Sequence, residues 1–279
     1  MEGAGRVIVD AHHHFWDPTR REYPWMGEEL ASIRKPFGPG ELRPLLEDNG
    51  VDRTILVQTV SSLDETREFL EVAASVDFIG GVVGWVDLTA PDVADTIASL
   101  VSDLLVGIRH QVHDEPDPGW LLRDDVQRGI NAVGEAGLVY DLLVRTRELP
   151  AALETVRKQR SVSFVIDHAA KPRIAGGRWD REWELALAPF SDESNVACKL
   201  SGLVTEADWK SWTVEDLEPY VKRVVGWFGA ERCIFGSDWP VCLLAADYDR
   251  VFDAIQQIVG LDEQIFGETA RRVYGLPEL

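Results

Sequence analysis

The sequence predicts an α/β fold of one domain, a (β/α)8 TIM-like barrel that takes in residues 1–279. Three observations favour this fold. Short runs rich in β-branched residues alternate with helix-like segments, which is typical of a parallel sheet. Eight such runs occur, at roughly 30 residues for each strand-and-helix unit. Several runs are apolar on both sides, as expected for strands that are buried on both faces.

Each strand after the first follows a segment with helical character. The predicted strands are Val7–Val9, Arg53–Thr59, Phe78–Val86, Leu104–His110, Leu138–Val144, Ser163–Ile166, Val196–Leu200 and Cys233–Phe235. The helices that precede the last seven strands are predicted at Glu41–Asn49, Asp64–Ser75, Ala94–Asp103, Asp125–Glu135, Leu149–Gln159, Glu182–Ala188 and Leu217–Phe228. An open doubly wound sheet is the alternative, but no glycine-rich phosphate-binding motif follows the first strand.

The amino-acid composition argues against some classes of binding partner. The net charge is −20, from 28 basic and 48 acidic residues, which argues against nucleic acid and anionic membranes. A weakly charged small molecule suits the chain better. No apolar run approaches the ~18 residues of a membrane span, and the first residues lack the features of a signal peptide. The three cysteines form no Cys-x-x-Cys pair, so we expect free thiols in a reducing cytoplasm. Homo-oligomerisation is left open.

Three histidines follow the first strand directly, in the segment VIVDAHHHFWD. Side chains of a strand alternate between its two faces. His12 and His14 should therefore share a face with Asp10 and Trp16, while His13 points the other way. Two imidazoles with this spacing can bind one metal ion or one substrate.

Other polar residues also gather where predicted strands end, which is where a parallel barrel places its active site. All six histidines lie at such an end or in the loop that follows it. The polar and aromatic residues at the later strand ends are Arg109, His110, His113, Tyr140, Asp141, Asp167, His168, Lys171, Lys199, Ser201, Ser237, Asp238 and Trp239.

Several segments together resemble the amidohydrolase superfamily, amidohydrolase family 2, and within it the sugar-lactonase branch that includes the L-fuconolactonases. They are VDAHHHFWD, YPWM, GVVGWVDL, GIRHQVHDE, YDLLV, VIDHAAKP, CKLSGLVTEADW, FGSDWPVC and ETARRVYGL. The resemblance extends from about Val7 to Leu276. It implies an enzyme that hydrolyses a small, L-fuconolactone-like sugar lactone to the sugar acid.

The resemblance also implies a metal site. His12, His14, His168 and Asp238 match the metal-binding residues of the superfamily, with Asp238 as the general base and His168 beside it in catalysis. Imidazole and carboxylate ligands suit Zn²⁺. The chain offers no well-placed bridging Lys or Glu, so one divalent metal is expected, with zinc as the first choice. In the alternative without metal, the histidines and Arg109 would bind the substrate and stabilise the oxyanion.

Seven residues are predicted to bind substrate, as cations, hydroxyl ligands or flat apolar walls. They are Arg109, His110, Trp16, Lys199, Trp85, Trp239 and Lys171. His113 and Trp25 are further candidates. For the tryptophans the alternative is core packing, and for His110 and His113 it is a supporting hydrogen bond. Three other functions are left open: a metal-dependent decarboxylase, a metal-free lactonase acting on a dicarboxylate lactone, and a non-catalytic binding protein.

Overall fold

Eight parallel strands in consecutive order form a nearly closed barrel in the computed structural model, which describes residues 6–277. The strands are β1 (Val9–His13), β2 (Arg53–Val57), β3 (Ile79–Gly84), β4 (Leu105–His110), β5 (Val139–Leu142), β6 (Phe164–Ile166), β7 (Val196–Leu200) and β8 (Cys233–Phe235). A parallel bridge between His13 and Trp239 joins the two ends of the sheet. The predicted (β/α)8 barrel is confirmed. Two predictions fall partly on residues 1–5 and 278–279, which lie outside the residues that the structure describes. They are the single domain over residues 1–279 and the lack of signal-peptide features in the first residues.

The helices alternate with the strands as predicted. They are α1 (Pro39–Asn49), α2 (Leu63–Ser75), α3 (Val93–Leu100), α4 (Asp124–Glu135), α5 (Leu149–Lys158), α6 (Arg181–Leu187), α7 (Val214–Phe228), α8 (Tyr248–Val259) and α9 (Thr269–Tyr274). Gly50, at φ 64°, follows α1 in the left-handed conformation that commonly ends a helix. None of the helices within residues 6–277 is long and apolar enough to cross a membrane.

Strand β1 begins later than predicted and contains the first histidines rather than ending before them. Its pairing with β2 is irregular between Asp10 and His13. Asp10 accepts hydrogen bonds from the backbone N–H of Ser237 (2.8 Å) and from the hydroxyl of Tyr248 in α8 (3.1 Å). The expectation that Asp10 shares the face of His12 and His14 is therefore wrong, because the irregularity interrupts the simple alternation of side chains.

Small and β-branched residues fill the interior of the barrel, as in Val57 of β2 and Val165 of β6. The C-terminal helix α9 contributes Ala270 and Tyr274 to the same cluster. A second, larger cluster lies between the strands and the surrounding helices. Polar side chains enter the barrel toward the carboxyl ends of its strands, and there they form the site described next.

Candidate active site

A cavity of about 370 Å³ opens at the carboxyl end of the barrel. His14, His168, Asp238 and Arg109 form part of its lining, and His12 lies directly behind them. We call His12, His14, His168 and Asp238 the histidine cluster. Each of its members is at most 5% exposed. Strand β1 and the loops after β1, β6 and β8 therefore bring together the four residues that the family resemblance assigns to the metal site.

The atoms of the histidine cluster converge on one carboxylate oxygen. Oδ1 of Asp238 lies 3.4 Å from Nε2 of His14, 3.7 Å from Nε2 of His12 and 3.9 Å from Nε2 of His168. The two Nε2 atoms of His12 and His14 are 3.2 Å apart. Ligands of one tetrahedral zinc ion, each at about 2.0–2.1 Å, lie roughly 3.3 Å from one another. The donor set and its spacing therefore fit a divalent metal ion.

Hydrogen bonds on the far side of two rings aim them at this point. Nδ1 of His14 lies 2.7 Å from the carbonyl oxygen of Val57. Because a carbonyl only accepts, Nδ1 carries the proton and Nε2 keeps its lone pair. Nδ1 of His168 lies 2.9 Å from Oγ of Ser201. Partners of this kind orient metal-binding imidazoles and select their tautomer.

Burial keeps His12 and His168 neutral, and neighbouring side chains keep Asp238 charged. It lowers the pKa of His12 and of His168 well below the usual value, because an imidazolium loses its hydration in the interior. Burial alone would raise the pKa of Asp238, but the neighbouring His168 and His14 outweigh it and hold that pKa below its ordinary value. Neutral imidazoles and a carboxylate are the protonation states that a metal site requires.

The backbone is strained at two of these residues. The four residues His168–Lys171 all have positive φ, between 48° and 58°, and so form a left-handed turn without glycine. Asp238 has φ 58° as well. Such a turn costs roughly 1–2 kcal/mol per residue. The indole N–H of Trp183 donates to the carbonyl of Ala169 (2.6 Å) and helps to hold it. Strain of this kind clusters at functional sites.

A buried layer of charges lies beneath the histidine cluster. Asp167 pairs with Nη1 of Arg109 (2.9 Å) and lies 3.0 Å from Nζ of Lys199. Lys199 also donates to Asp141 (2.6 Å), which accepts in turn from the hydroxyl of Tyr274 (2.8 Å). Burial would raise the pKa of Asp167, but Lys199 and its other cationic neighbours outweigh it and hold that pKa far below its usual range. Burial and the nearby Asp167 raise the pKa of Asp141 despite Lys199.

A match that spans nearly the whole barrel shows the family to which the chain belongs. The family described as amidohydrolase matches residues 9–276. The chain belongs to the amidohydrolase family. It is 43% identical to an L-fucono-1,5-lactonase of Burkholderia ambifaria over 96% of this chain and 92% of that protein. It is 36% identical to an L-fucono-1,5-lactonase of Burkholderia multivorans over 98% of each chain.

A solved structure resembles this amidohydrolase closely. It is a crystal structure of an amidohydrolase from Burkholderia multivorans with bound zinc, 36% identical in sequence, with a TM-score of 0.93. The superposition covers 97% of this chain and 100% of the other. The resemblance inferred from the sequence is thus confirmed over nearly the whole chain. With two full-length lactonase relatives, the decarboxylase alternative is less supported than lactone hydrolysis.

Two of the seven residues predicted to bind substrate line the cavity of this amidohydrolase, namely Arg109 and Lys171. Lys171 forms an ion pair of 3.0 Å with Glu206, another lining residue. Lys199 is fully buried in the charge layer and lies outside the lining. Its ammonium group is surrounded by two carboxylates and His12, which hold it away from the cavity.

The other four predicted substrate residues also lie outside the cavity lining. Trp16 and Trp239 are buried, 3% and 1% exposed, and both pack edge-on against Phe37. Core packing therefore describes these two tryptophans better than substrate binding does, because the loop after β1 covers both rings. The indole N–H of Trp85 donates to Nδ1 of His110 (3.0 Å).

His110 is held on three sides. Besides its bond to Trp85, its Nε2 lies 2.7 Å from a carboxylate oxygen of Glu115, and its ring stacks on Trp120 at a centroid distance of 4.2 Å. It therefore supports the loop after β4 rather than facing the cavity. The next residues of that loop, Gln111, His113 and Asp114, do line the cavity.

Most of the cavity wall was missed by sequence reasoning. Trp25 and His113, named there as further candidates, are part of the wall. The wall residues that received no role are Leu30, Thr59, Gln111, Asp114, Leu143, Arg145, Thr205, Glu206, Trp209, Val241 and Leu244. The one sequence feature that these residues share is their place in loops that follow strands. Many residues that do not line the cavity have the same feature, so it does not identify the wall.

Proposed function

We propose that this amidohydrolase hydrolyses a small sugar lactone, of the L-fuconolactone-like aldonolactone class, to the sugar acid. The convergence of Asp238 with three imidazoles at the buried side of the cavity carries this proposal. The cavity of about 370 Å³ is within the range of small-molecule sites, roughly 300–1,000 Å³. The two full-length lactonase relatives favour a lactone over other substrates.

The cavity supplies two kinds of contact for such a substrate. Trp25, Trp209 and Leu244 offer apolar surface on which a sugar ring can lie. Polar groups such as Gln111 and Glu206 can bind its hydroxyl groups. The lactone carbonyl then faces Asp238, with the guanidinium of Arg109 near enough to stabilise negative charge on the carbonyl oxygen.

Asp238 carries the proton transfers in this proposal. Its carboxylate accepts a proton from water as the water oxygen attacks the carbonyl carbon. The bond from that carbon to the ring oxygen then breaks, and the ring oxygen takes up the proton that Asp238 accepted. Water is thereby added across one ester bond, and Asp238 returns to its charged state. His168, fixed by Ser201, lies beside Asp238, with its Nε2 3.9 Å from the carboxylate.

The same cluster is proposed to hold one zinc ion, with His12, His14, His168 and Asp238 as its ligands. A zinc ion bound there supplies Lewis acidity toward the lactone carbonyl and the attacking water. The donor atoms of His12, His14 and Asp238 all lie within 4.8 Å of one another, and Nε2 of His168 lies 3.9 Å from Oδ1 of Asp238, which supports one ion at this point. A cytoplasmic location belongs to the proposal as well, and the three buried, free cysteines are in keeping with it. Homo-oligomerisation stays a prediction.

A panel of aldonolactones tests the activity, with acid release followed by a pH indicator. We expect turnover of at least one sugar lactone, and a loss of about 10²–10⁴-fold in kcat for Asp238→Asn. Asp64→Asn, at an exposed position on α2, is the matched control and should keep full activity. Turnover no faster than spontaneous hydrolysis for every lactone would refute the proposal, and release of CO2 from aromatic acids would support the decarboxylase instead.

Elemental analysis before and after chelation tests the metal. We expect about one zinc per chain, loss of activity on its removal, and recovery when zinc is restored. Undiminished hydrolysis by protein that contains no metal would overturn the zinc site while leaving the lactonase activity in place. The histidines and Arg109 would then act by hydrogen bonding alone.

A further inference from the structure

We propose that the ion pair of Lys171 and Glu206 determines which lactones the cavity accepts. The pair binds two neighbouring hydroxyl groups of a neutral sugar lactone, and it disfavours lactones that carry a second carboxylate. Both residues are specificity-determining. The inference rests on the proposed lactonase activity and deepens it, since it names the feature of the substrate that the cavity recognises.

The first observation is that the backbone holds both residues of the pair in place. Lys171 ends the left-handed turn after β6, and its backbone N–H donates to the carbonyl of His168 (2.8 Å). Glu206 lies in a short helical turn after β7. Its carbonyl accepts from the backbone N–H groups of Ile174 (3.2 Å) and Ala175 (2.9 Å). A change of either side chain therefore leaves these backbone bonds in place.

The second observation is that the pair has hydrogen-bonding groups to spare. Nζ of Lys171 donates to Oε1 of Glu206 at 3.0 Å, and both side chains line the cavity, 14% and 18% exposed. An ammonium group has three N–H groups, and within residues 6–277 this one makes a single hydrogen bond. Oε2 of Glu206 accepts no hydrogen bond from the same part of the chain. The pair therefore offers both donors and an acceptor to a molecule in the cavity.

Two neighbouring hydroxyl groups of a sugar match this arrangement. Their oxygen atoms lie about as far apart as the two atoms of the ion pair, so one hydroxyl can accept from Lys171 while the next donates to Glu206. Hydrogen bonds to charged groups are the stronger kind. The pair also lies near the reacting end of the cavity. Burial acts to raise the pKa of Asp238, and Lys171 is among the neighbouring charges that lower it instead.

Each cation in the described part of the cavity wall lies near an acidic side chain. These cations are Arg109, Arg145 and Lys171. Arg109 donates to Asp167 at 2.9 Å, and Lys171 pairs with Glu206. Burial raises the pKa of Asp114, and the nearby charges of Arg145 and Lys171 oppose that rise. A second carboxylate on the substrate would meet each cation beside an acid of the protein, and such contact between like charges disfavours binding.

The first test compares lactones with and without hydroxyl groups. An aldonolactone that the wild type hydrolyses is paired with the hydroxyl-free lactone of the same ring size, γ-butyrolactone or δ-valerolactone. We expect Lys171→Met and Glu206→Met each to lower the ratio of the two kcat/KM values about 10–100-fold, because hydrogen bonds to charged groups are lost. A purely structural role would lower both values equally. Lys158→Met is the matched control, since Lys158 pairs with Glu154 at the same 3.0 Å on the exposed face of α5.

The second test compares two lactones that differ in one group. D-glucaro-1,4-lactone has a carboxylate where D-glucono-1,4-lactone has a CH2OH group. Calorimetry measures their binding to Asp238→Asn protein, so that neither lactone is consumed. We expect the neutral lactone to bind more tightly. Adding Glu206→Gln leaves Lys171 without its acid, and this should shift the ratio of the two affinities toward D-glucaro-1,4-lactone by about tenfold or more.

Two results would overturn the inference. One is an equal loss on both kinds of lactone in Lys171→Met, with circular dichroism verifying that the variant is folded. The other is an unchanged preference between the two 1,4-lactones when Glu206→Gln is added. A wild type that hydrolyses no lactone would refute the proposed function, whereas the calorimetric preference would still decide the role of the ion pair.

Discussion

Gly202 lies so close to His168 that a β-carbon on it would be 2.4 Å from Nδ1 of the imidazole. The same β-carbon would be 3.0 Å from a carboxylate oxygen of Asp238. Gly202 also has φ 60°, which favours glycine. The backbone of the loop after β7 therefore lies so close to the histidine cluster that there is no room for a side chain at Gly202.

We expect Gly202→Ala to displace His168 and to abolish most activity and metal binding. Gly50→Ala is the matched control, because Gly50 has a similar φ of 64° but no atom within 4 Å of the added β-carbon. Both variants should lose about 1 kcal/mol of unfolding free energy from backbone strain. Only Gly202→Ala should lose zinc as well, as measured by elemental analysis. Equal zinc contents in the two variants would contradict this prediction.

Ser201 supports His168 through a hydrogen bond of 2.9 Å in a buried setting. Removing its hydroxyl in Ser201→Ala leaves Nδ1 of His168 without that partner, so the ring is less well oriented. We expect zinc affinity to fall about 10–100-fold. Ser191→Ala is the control, since its hydroxyl donates to the carbonyl of Ala188 in a turn away from the cavity. An unchanged zinc affinity in Ser201→Ala would show that this bond does not orient the ring.

Trp209 is 36% exposed and lines the cavity, with its indole N–H bonded to the carbonyl of Thr205 at 2.8 Å. We expect Trp209→Ala to raise KM about tenfold, equivalent to about 1.4 kcal/mol of lost contact. The value of kcat should change little, because the ring contacts the sugar equally in the ground and transition states. Leu185→Ala, at a position 61% exposed on α6, should change neither constant. A fall in kcat at constant KM would contradict this role.

His113 makes stability depend on pH. Burial, together with the charges of Lys171 and Arg145, lowers the pKa of His113 from 6.5 to about 3. Between those two values the unfolded chain takes up a proton that the native state does not, so this group makes the protein less stable as pH falls. Urea unfolding should show that His113→Gln gains about 2 kcal/mol relative to the wild type between pH 8 and pH 5.

Gln111→Asn, a substitution without a titratable group in the same wall, serves as the control for that experiment. Its stability difference from the wild type should be the same at both pH values. Parallel pH profiles for His113→Gln and the wild type would mean that His113 is protonated as readily in the native state as in the unfolded chain.

The order of strands and helices could be predicted from the sequence because it depends on local patterns. Val196–Leu200 and Cys233–Phe235 match their observed strands end to end. The extent of β1 could not be predicted, since it depends on pairing with β2, whose register is irregular between Asp10 and His13. For the same reason the sequence placed Asp10 on the wrong face.

For the candidate site, the sequence alone placed polar residues at the carboxyl ends of barrel strands, which must meet, and the family resemblance singled out the four residues of the histidine cluster among them. Only the tertiary structure decided which other polar residues reach the cavity. Lys199 is pulled into the charge layer by Asp141 and Asp167, while Gln111 and Arg145 enter the wall. The physical reason is that the order of strands and helices follows from local sequence patterns, whereas the direction of a buried charge is set by partners that are distant in sequence.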